Sequence, residues 1–198
     1  DGRINNQDTY WNNGEGWNSI KGAQYEPFTG TFDGHGFALH NYWADYYGGL
    51  FATLSGAKVT RLVMDGPLMS VGSHFNSPVG AVANNASQSQ LSEIVVTGSV
   101  AASITVGGIL GKGIDTQLDA VVSVGSVKGY QMVGGIAGEL DRSSGISNAL
   151  TSGKLKAYAA QSFGGGFSPN NQSGGLVGTG EGYLLTSFSS RSLDIKDQ

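Results

Sequence analysis

The sequence predicts an all-β fold built as a β-solenoid, and two recurring motifs predict it. A glycine motif returns as YGGLFA at 47–52, VGAVAN at 79–84, VGGILG at 106–111, VGGIAG at 133–138 and SGGLVG at 173–178. Each copy is followed by a β-branched motif: VTRLVMDGPL from Val59, LSEIVVTGSV from Leu91, LDAVVSVGSV from Leu118, ISNALTSGKL from Ile146 and a decayed LLTSFSSRSL from Leu184. Anchored on Gly48, Gly80, Gly107, Gly134 and Gly174, the copies are 32, 27, 27 and 40 residues apart. The second glycine (Gly66, Gly98, Gly125, Gly153, with Arg191 in the last copy) follows 18, 18, 18, 19 and 17 residues later. Repeats of roughly 20–50 residues mark solenoids, propellers or arrays.

Segment chemistry selects the solenoid. The repeated pieces are short, β-branched and broken by glycine, and none carries the three-and-four apolar spacing of a helix. A propeller blade needs about four strands in 40 or more residues, whereas the shortest units here offer two strand signals in 27 residues. Stacked coils set equivalent residues about 4.8 Å apart, so each alignment column becomes a ladder. Leu50, Val82, Ile109, Ile136 and Leu176 form one apolar column, and Leu68, Val100, Val127, Leu155 and Leu193 another. Two neighbouring columns, Leu62-Ile94-Val121-Ala149-Ser187 and Val63-Val95-Val122-Leu150-Phe188, are both apolar, and the sequence leaves open which one faces inward.

Composition fits one well-buried domain of 198 residues with 33 glycines and 13% charged residues. The net charge of -4, with eleven scattered Lys and Arg, argues against nucleic acid or an anionic membrane as the main partner. The absence of cysteine removes disulfides, thiolate catalysis and Cys-type zinc sites. No stretch approaches the roughly 18 apolar residues of a membrane span, and a chain that opens on Asp1 without a signal peptide reads as a processed or excised piece.

VGGILGKG at 106–113 superficially resembles a phosphate-binding loop, but it lacks the Gly-x4-Gly-Lys-Ser/Thr spacing, and a nucleotide site is not needed five times. The glycine pairs instead mark corners that need positive φ or close backbone approach. VVTGSV at 95–100 and GGLVG at 174–178 resemble GLUG-type repeats of bacterial secreted and surface proteins. FTGTFDGHGFALHNY at 28–42 is similar to the segment that precedes such repeats in filamentous-haemagglutinin-like adhesins and in some secreted IgA-cleaving metallopeptidases. This resemblance implies a right-handed parallel β-helix, here of about five coils, on the outside of a bacterial cell. The HExxH motif of those peptidases is missing.

The lead-in concentrates Trp11, Trp17, Tyr25, Phe28, Phe32, Phe37, Tyr42 and Trp43, the bulk expected of an aromatic-rich N-terminal cap. The expected division is a cap and lead-in strand over 1–47 and coils over 48–198. Extra length enters the repeat at one corner, where the interval to the next anchor is 14, 9, 9 and 21 residues. Loops at 68–79 and 155–173 would then flank tight turns at 99–106 and 126–133. His74, Phe75 and Asn76 would form one wall of a shallow groove, Tyr130 and Gln131 its floor, and Tyr158, Gln161, Phe163, Phe167, Asn170 and Asn171 the other wall. Aromatic faces with amides suit a neutral polar ligand such as a glycan.

Catalytic readings are weaker. β-helix lyases and hydrolases need carboxylates that converge from adjacent coils, yet the Glu93 column reads Arg61, Glu93, Ala120, Asn148 and Thr186 or Ser187. Asp33 and His35 in FDGHG are the one candidate acid/base pair, and His35, His40 and His74 lack metal-ligand spacing. The expected function is a non-catalytic extracellular adhesin module that binds a glycan or a surface ligand, without cofactor or metal. A polysaccharide lyase or glycoside hydrolase and a passive spacer of a larger surface protein are the alternatives.

Overall fold

The computed structural model describes residues 16–20, 26–44, 48–70, 78–102, 104–158 and 172–196. Among them are only strands, turns and bends, and each ladder between named strands is parallel. The chain winds through three sheets in rotation. β1 (Phe51–Ser55), β2 (Ala83–Ser87), β3 (Leu110–Ile114), β4 (Ala137–Leu140) and β5 (Val177–Gly180) form one side. Long strands at Lys58–Ser70, Gln90–Ala101 and Gln117–Gly129, then the split pairs Gly145–Ser147 with Leu150–Tyr158 and Tyr183–Leu185 with Phe188–Lys196, form the second. Val79–Gly80, Thr105–Gly107, Met132–Gly134 and Gln172–Gly174 form the third. The protein is therefore a parallel β-solenoid. Five coils are expected from five motif copies, but the third side has four strands, so the described residues close four complete turns and the fifth copy adds two sides.

Residues 28–44 do more than precede the coils. Thr31–Asp33, Ala38–His40 and Trp43–Ala44 each pair in parallel with Lys58–Ser70, which makes the lead-in a terminal rung of the long sheet. Phe28 and Phe32 lie 5.0 and 5.5 Å from Phe51, ring centre to ring centre, and pack onto the core's first layer.

The question of which apolar column faces inward is answered by burial. Leu62, Ile94, Val121 and Ala149 are enclosed, whereas Leu150 and Phe188 are 42% and 63% exposed. Simple alternation from the strand start fails because Arg61, Glu93, Ala120, Asn148 and Thr186 all adopt left-handed backbone, with φ between 46° and 55°. These residues stack into one bend that turns each long strand. L-residues other than Asn and Asp rarely occupy this region.

Register also corrects the second expected column. Val100, Val127, Leu155 and Leu193 do pair, but Met69, not Leu68, stands opposite Val100, and Leu68 pairs with Ser99. The shift lies between Asp65 and Leu68, where Gly66 takes φ 67° and Pro67 packs against Gly98. Two residues there oppose one, a bulge that proline's missing N–H favours.

Side-chain size alternates down one column of the first sheet, Phe51, Ala83, Leu110, Ala137, Val177, and in another, Leu54, Ala86, Gly113, Leu140, Gly180, each leucine has only small neighbours. Large residues thus lean over small ones to reach close packing. The paired glycines follow from backbone approach. Among the first anchors only Gly48 has positive φ, whereas a Cβ at Gly107, Gly134 or Gly174 would overlap the carbonyl oxygen three residues on. A Cβ on the second glycine, at Gly108 or Gly175, would strike the hydroxyl of Ser123 or Ser189 across the interior.

Corner N–H groups that have no ladder partner are met by hydroxyls of the next coil. Ala57 N–H donates to Ser89 Oγ at 3.1 Å and Thr116 N–H to Ser144 Oγ at 3.0 Å. In the last coil Arg191 replaces the column glycine, and its guanidinium runs back into the interior. It donates to Thr151 Oγ1, Gly125 O (2.8 Å), Ser123 O (3.0 Å) and Ser123 Oγ (2.9 Å), and burial pushes its pKa down to about 10.

Two stability predictions follow from this framework. Ala120→Gly relieves the left-handed bend and should raise the unfolding free energy by about 0.5–1 kcal/mol, read from the urea midpoint. Arg191→Ala strands buried hydroxyls and carbonyls and should lower it by about 1–3 kcal/mol in the same measurement.

Candidate functional site

The corner that accepts extra chain joins the ends of the long strands to the third sheet. The long insertions fall there: 71–77 in the first turn and 159–171 in the fourth lie between a long strand and a short one. Two turns at this corner are tight. After Gln117–Gly129 the chain needs only Tyr130 and Gln131 to reach the next strand, and Gln131 and Met132 donate their N–H groups to Ile104 O at 3.3 and 3.0 Å. Gln131 O accepts from Gln172 N–H at 2.7 Å, which ties this turn to the next coil.

Tyr130 and Tyr158 meet here, on successive coils. Their ring centroids are 5.5 Å apart with planes at 38°, and Tyr130 is 42% exposed. The register explains the meeting, since Lys128 pairs with Lys156 and Gly129 with Ala157, so the next residues fall side by side. Of the groove residues expected from the sequence, Tyr130, Gln131 and Tyr158 are described and share this corner. His74, Phe75, Asn76, Gln161, Phe163, Phe167, Asn170 and Asn171 lie outside the described residues.

Lysines also gather on this side, a feature the linear sequence disperses. Lys128 and Lys156 occupy opposed register positions, and Lys154 pairs with Ser126 on the same strand pair. Asp194 follows Lys156 in its column.

At the other end of the long sheet two polar clusters form. Arg61 grips Asp33 with two nitrogens, Nε at 2.9 Å and a second closer contact, and the His35 N–H donates to the same carboxylate at 2.9 Å. These bonds hold the Asp33 pKa at about 2, so the candidate acid of FDGHG stays ionised and ion-paired. His40 Nδ1 stands 3.0 Å from Asp65 Oδ2, while Thr97 donates to Asp65 Oδ1 at 2.7 Å. The Thr97 and His40 contacts lower the Asp65 pKa. The order hydroxyl, carboxylate, imidazole is not that of a nucleophilic triad, in which the imidazole stands in the middle. Ser147 and Asn148 likewise hold Asp119 ionised, and Ser144 with the Asp115 N–H holds Asp141. Among the described residues no group of three or more His, Asp or Glu could hold a metal ion.

A cavity of about 360 Å³ lies at the last coil, lined by Leu140, Gln172, Val177, Thr179 and Leu184 among others. Leu184 continues the core column of Leu91, Leu118 and Ile146, so this hollow is the exposed end of the interior and not a ligand site built into the wall.

The fold defines a β-solenoid with a variable corner, and comparison with known proteins adds little to that class. No family model matches the chain, and no solved structure matches it. Over 99 residues the chain is 34% identical to Halomucin of Haloquadratum walsbyi, a match that covers 50% of this chain and 1% of that protein. The chain thus spans about one hundredth of the length of the relative it matches. No helix among the described residues is long and apolar enough to cross a membrane.

The ion pair at the first bend sets a pH dependence. A carboxylate whose pKa is depressed in the fold adds stability above its unfolded pKa and loses it as pH falls towards the folded one. For Asp33 that window runs from 3.8 down to about 2. In Arg61→Ala the Asp33 carboxyl should titrate nearer 3.8 by NMR, and the acid unfolding midpoint should move to higher pH.

Proposed function

We propose that the protein is a non-catalytic, extracellular ligand-binding module, an adhesin-type β-helix that engages a glycan or a cell-surface ligand at the variable corner. The observation that carries this reading is the Tyr130–Tyr158 pair, two adjacent aromatic side chains brought together by the register of the coils at the corner where the long insertions enter. Aromatic side chains beside polar groups are what sugar rings use. The described aspartates with depressed pKa values are committed to Arg61, His40, Ser144, Ser147 or Asn148, which favours binding over bond cleavage. Resemblance to GLUG-type repeats and the partial likeness to Halomucin are in keeping with a surface setting.

Glycan-array binding without product release tests the proposal. Binding is expected, and Tyr158→Ala should weaken it at least about tenfold, the loss of roughly 1.4 kcal/mol, with an unchanged circular dichroism spectrum. Release of reducing ends or unsaturated sugars from candidate polysaccharides would establish a lyase or hydrolase instead, and the absence of any ligand would leave the spacer reading.

A further inference from the structure

We infer that the corner site selects acidic glycans, chains that carry carboxylate or sulfate groups; the inference rests on the glycan-binding reading above and names its ligand class. Lys128, Lys154 and Lys156 lie on two successive coils beside the tyrosine pair, in a chain whose net charge is -4. Lys128 and Lys156 face each other across one rung, about 4.8 Å in a parallel sheet. The fold does not require them: the same column carries Ala101 one coil earlier. Nor do they protect an edge, a common duty of lysine, because the Lys128 strand has coils on both sides.

Asp194, next in the column after Lys156, is the one acidic residue that register places beside this group. Lys128 and Lys154 are exposed and have no ion-pair partner among the described residues. Two exposed lysines, Lys128 and Lys154, at a solvent-facing corner close to the Tyr130–Tyr158 pair fit an anionic partner that neutralises them while its rings lie against the tyrosines. Nucleic acid fits less well, since the cationic group is local and the rest of the molecule is net negative.

The discriminating probes are polygalacturonate and the same polymer fully methyl-esterified, which share a backbone and differ in charge. Calorimetry with the intact protein should give binding to the acid form at least about tenfold tighter than to the ester, weakening as salt screens the lysines. Lys128→Gln with Lys154→Gln should remove most of that preference while leaving ester binding and the melting curve unchanged; Tyr158→Ala should weaken both forms. Equal affinity for acid and ester, or a salt-independent preference, overturns the inference. If neutral oligosaccharides bind and both polygalacturonates do not, the acidic class is wrong and the glycan reading stands. If no sugar of either kind binds, both fall together.

Discussion

Register between coils is the constraint from which the rest of this structure follows. Each turn must return the chain to a point directly above its starting position, because every strand finds its hydrogen-bond partners only in the coils before and after it. The glycine anchors satisfy that demand sterically, since Gly107 and Gly134 sit where any side chain would overlap a neighbouring carbonyl. The corner hydroxyls satisfy it chemically, with Ser89 and Ser144 accepting N–H groups that the ladder cannot reach. The left-handed column from Arg61 to Thr186 satisfies it geometrically, at a cost in backbone strain that recurs on every coil. A residue out of step at any of these places would displace all the coils beyond it.

The same constraint explains how much of the molecule is legible in its sequence. Columns such as Val82, Ile109 and Ile136 can be aligned by eye because identical positions must play identical roles. The corner that varies is legible for the converse reason, since chain outside the ladder is freest to change length. What escapes are features set by local dihedrals or by neighbours far along the chain. The inward face of the long strands depends on the bend at Glu93 and Ala120, which no alternation pattern announces. The slip at Gly66-Pro67 moves Leu68 off its column although the motif DGPL still aligns with TGSV. Tyr130 with Tyr158, and Lys128 with Lys156, are 28 residues apart and become neighbours only through the register. Arg191 reads as a decayed glycine, whereas its guanidinium reaches back two coils to Ser123 and Gly125.

Dividing labour between ladder and corner lets the fold carry a site at little cost to its stability. Solenoid stability is close to a sum over coils and their contacts, so chain inserted outside the ladder perturbs few of those terms. Outward columns are equally unconstrained by packing. Some of their occupants pair with one another, as Thr97 and His40 do with Asp65, and others, such as Lys154, face solvent.

The interior itself is uneven, and that unevenness has a direction. One inward column runs Met64, Val96, Ser123, Thr151, Ser189, from wholly apolar in the first coils to hydroxylated in the last. Hydroxyls buried among aliphatic groups need partners, and the Arg191 guanidinium provides them for Ser123 and Thr151, spanning coils that hydrophobic contact alone would hold less firmly. Apolar burial therefore secures the first turns, with Phe51, Leu54, Leu62 and Met64 all enclosed, and a hydrogen-bonded cation ties the fifth copy to the third. The Tyr130–Tyr158 corner is built from the third and fourth long strands, which the guanidinium joins through Ser123, Gly125 and Thr151 beside the buried Val127, Leu155 and Ala157. The site stands where one inward column changes from aliphatic groups to hydroxyls, so aliphatic packing and the donors of one guanidinium hold its strands together.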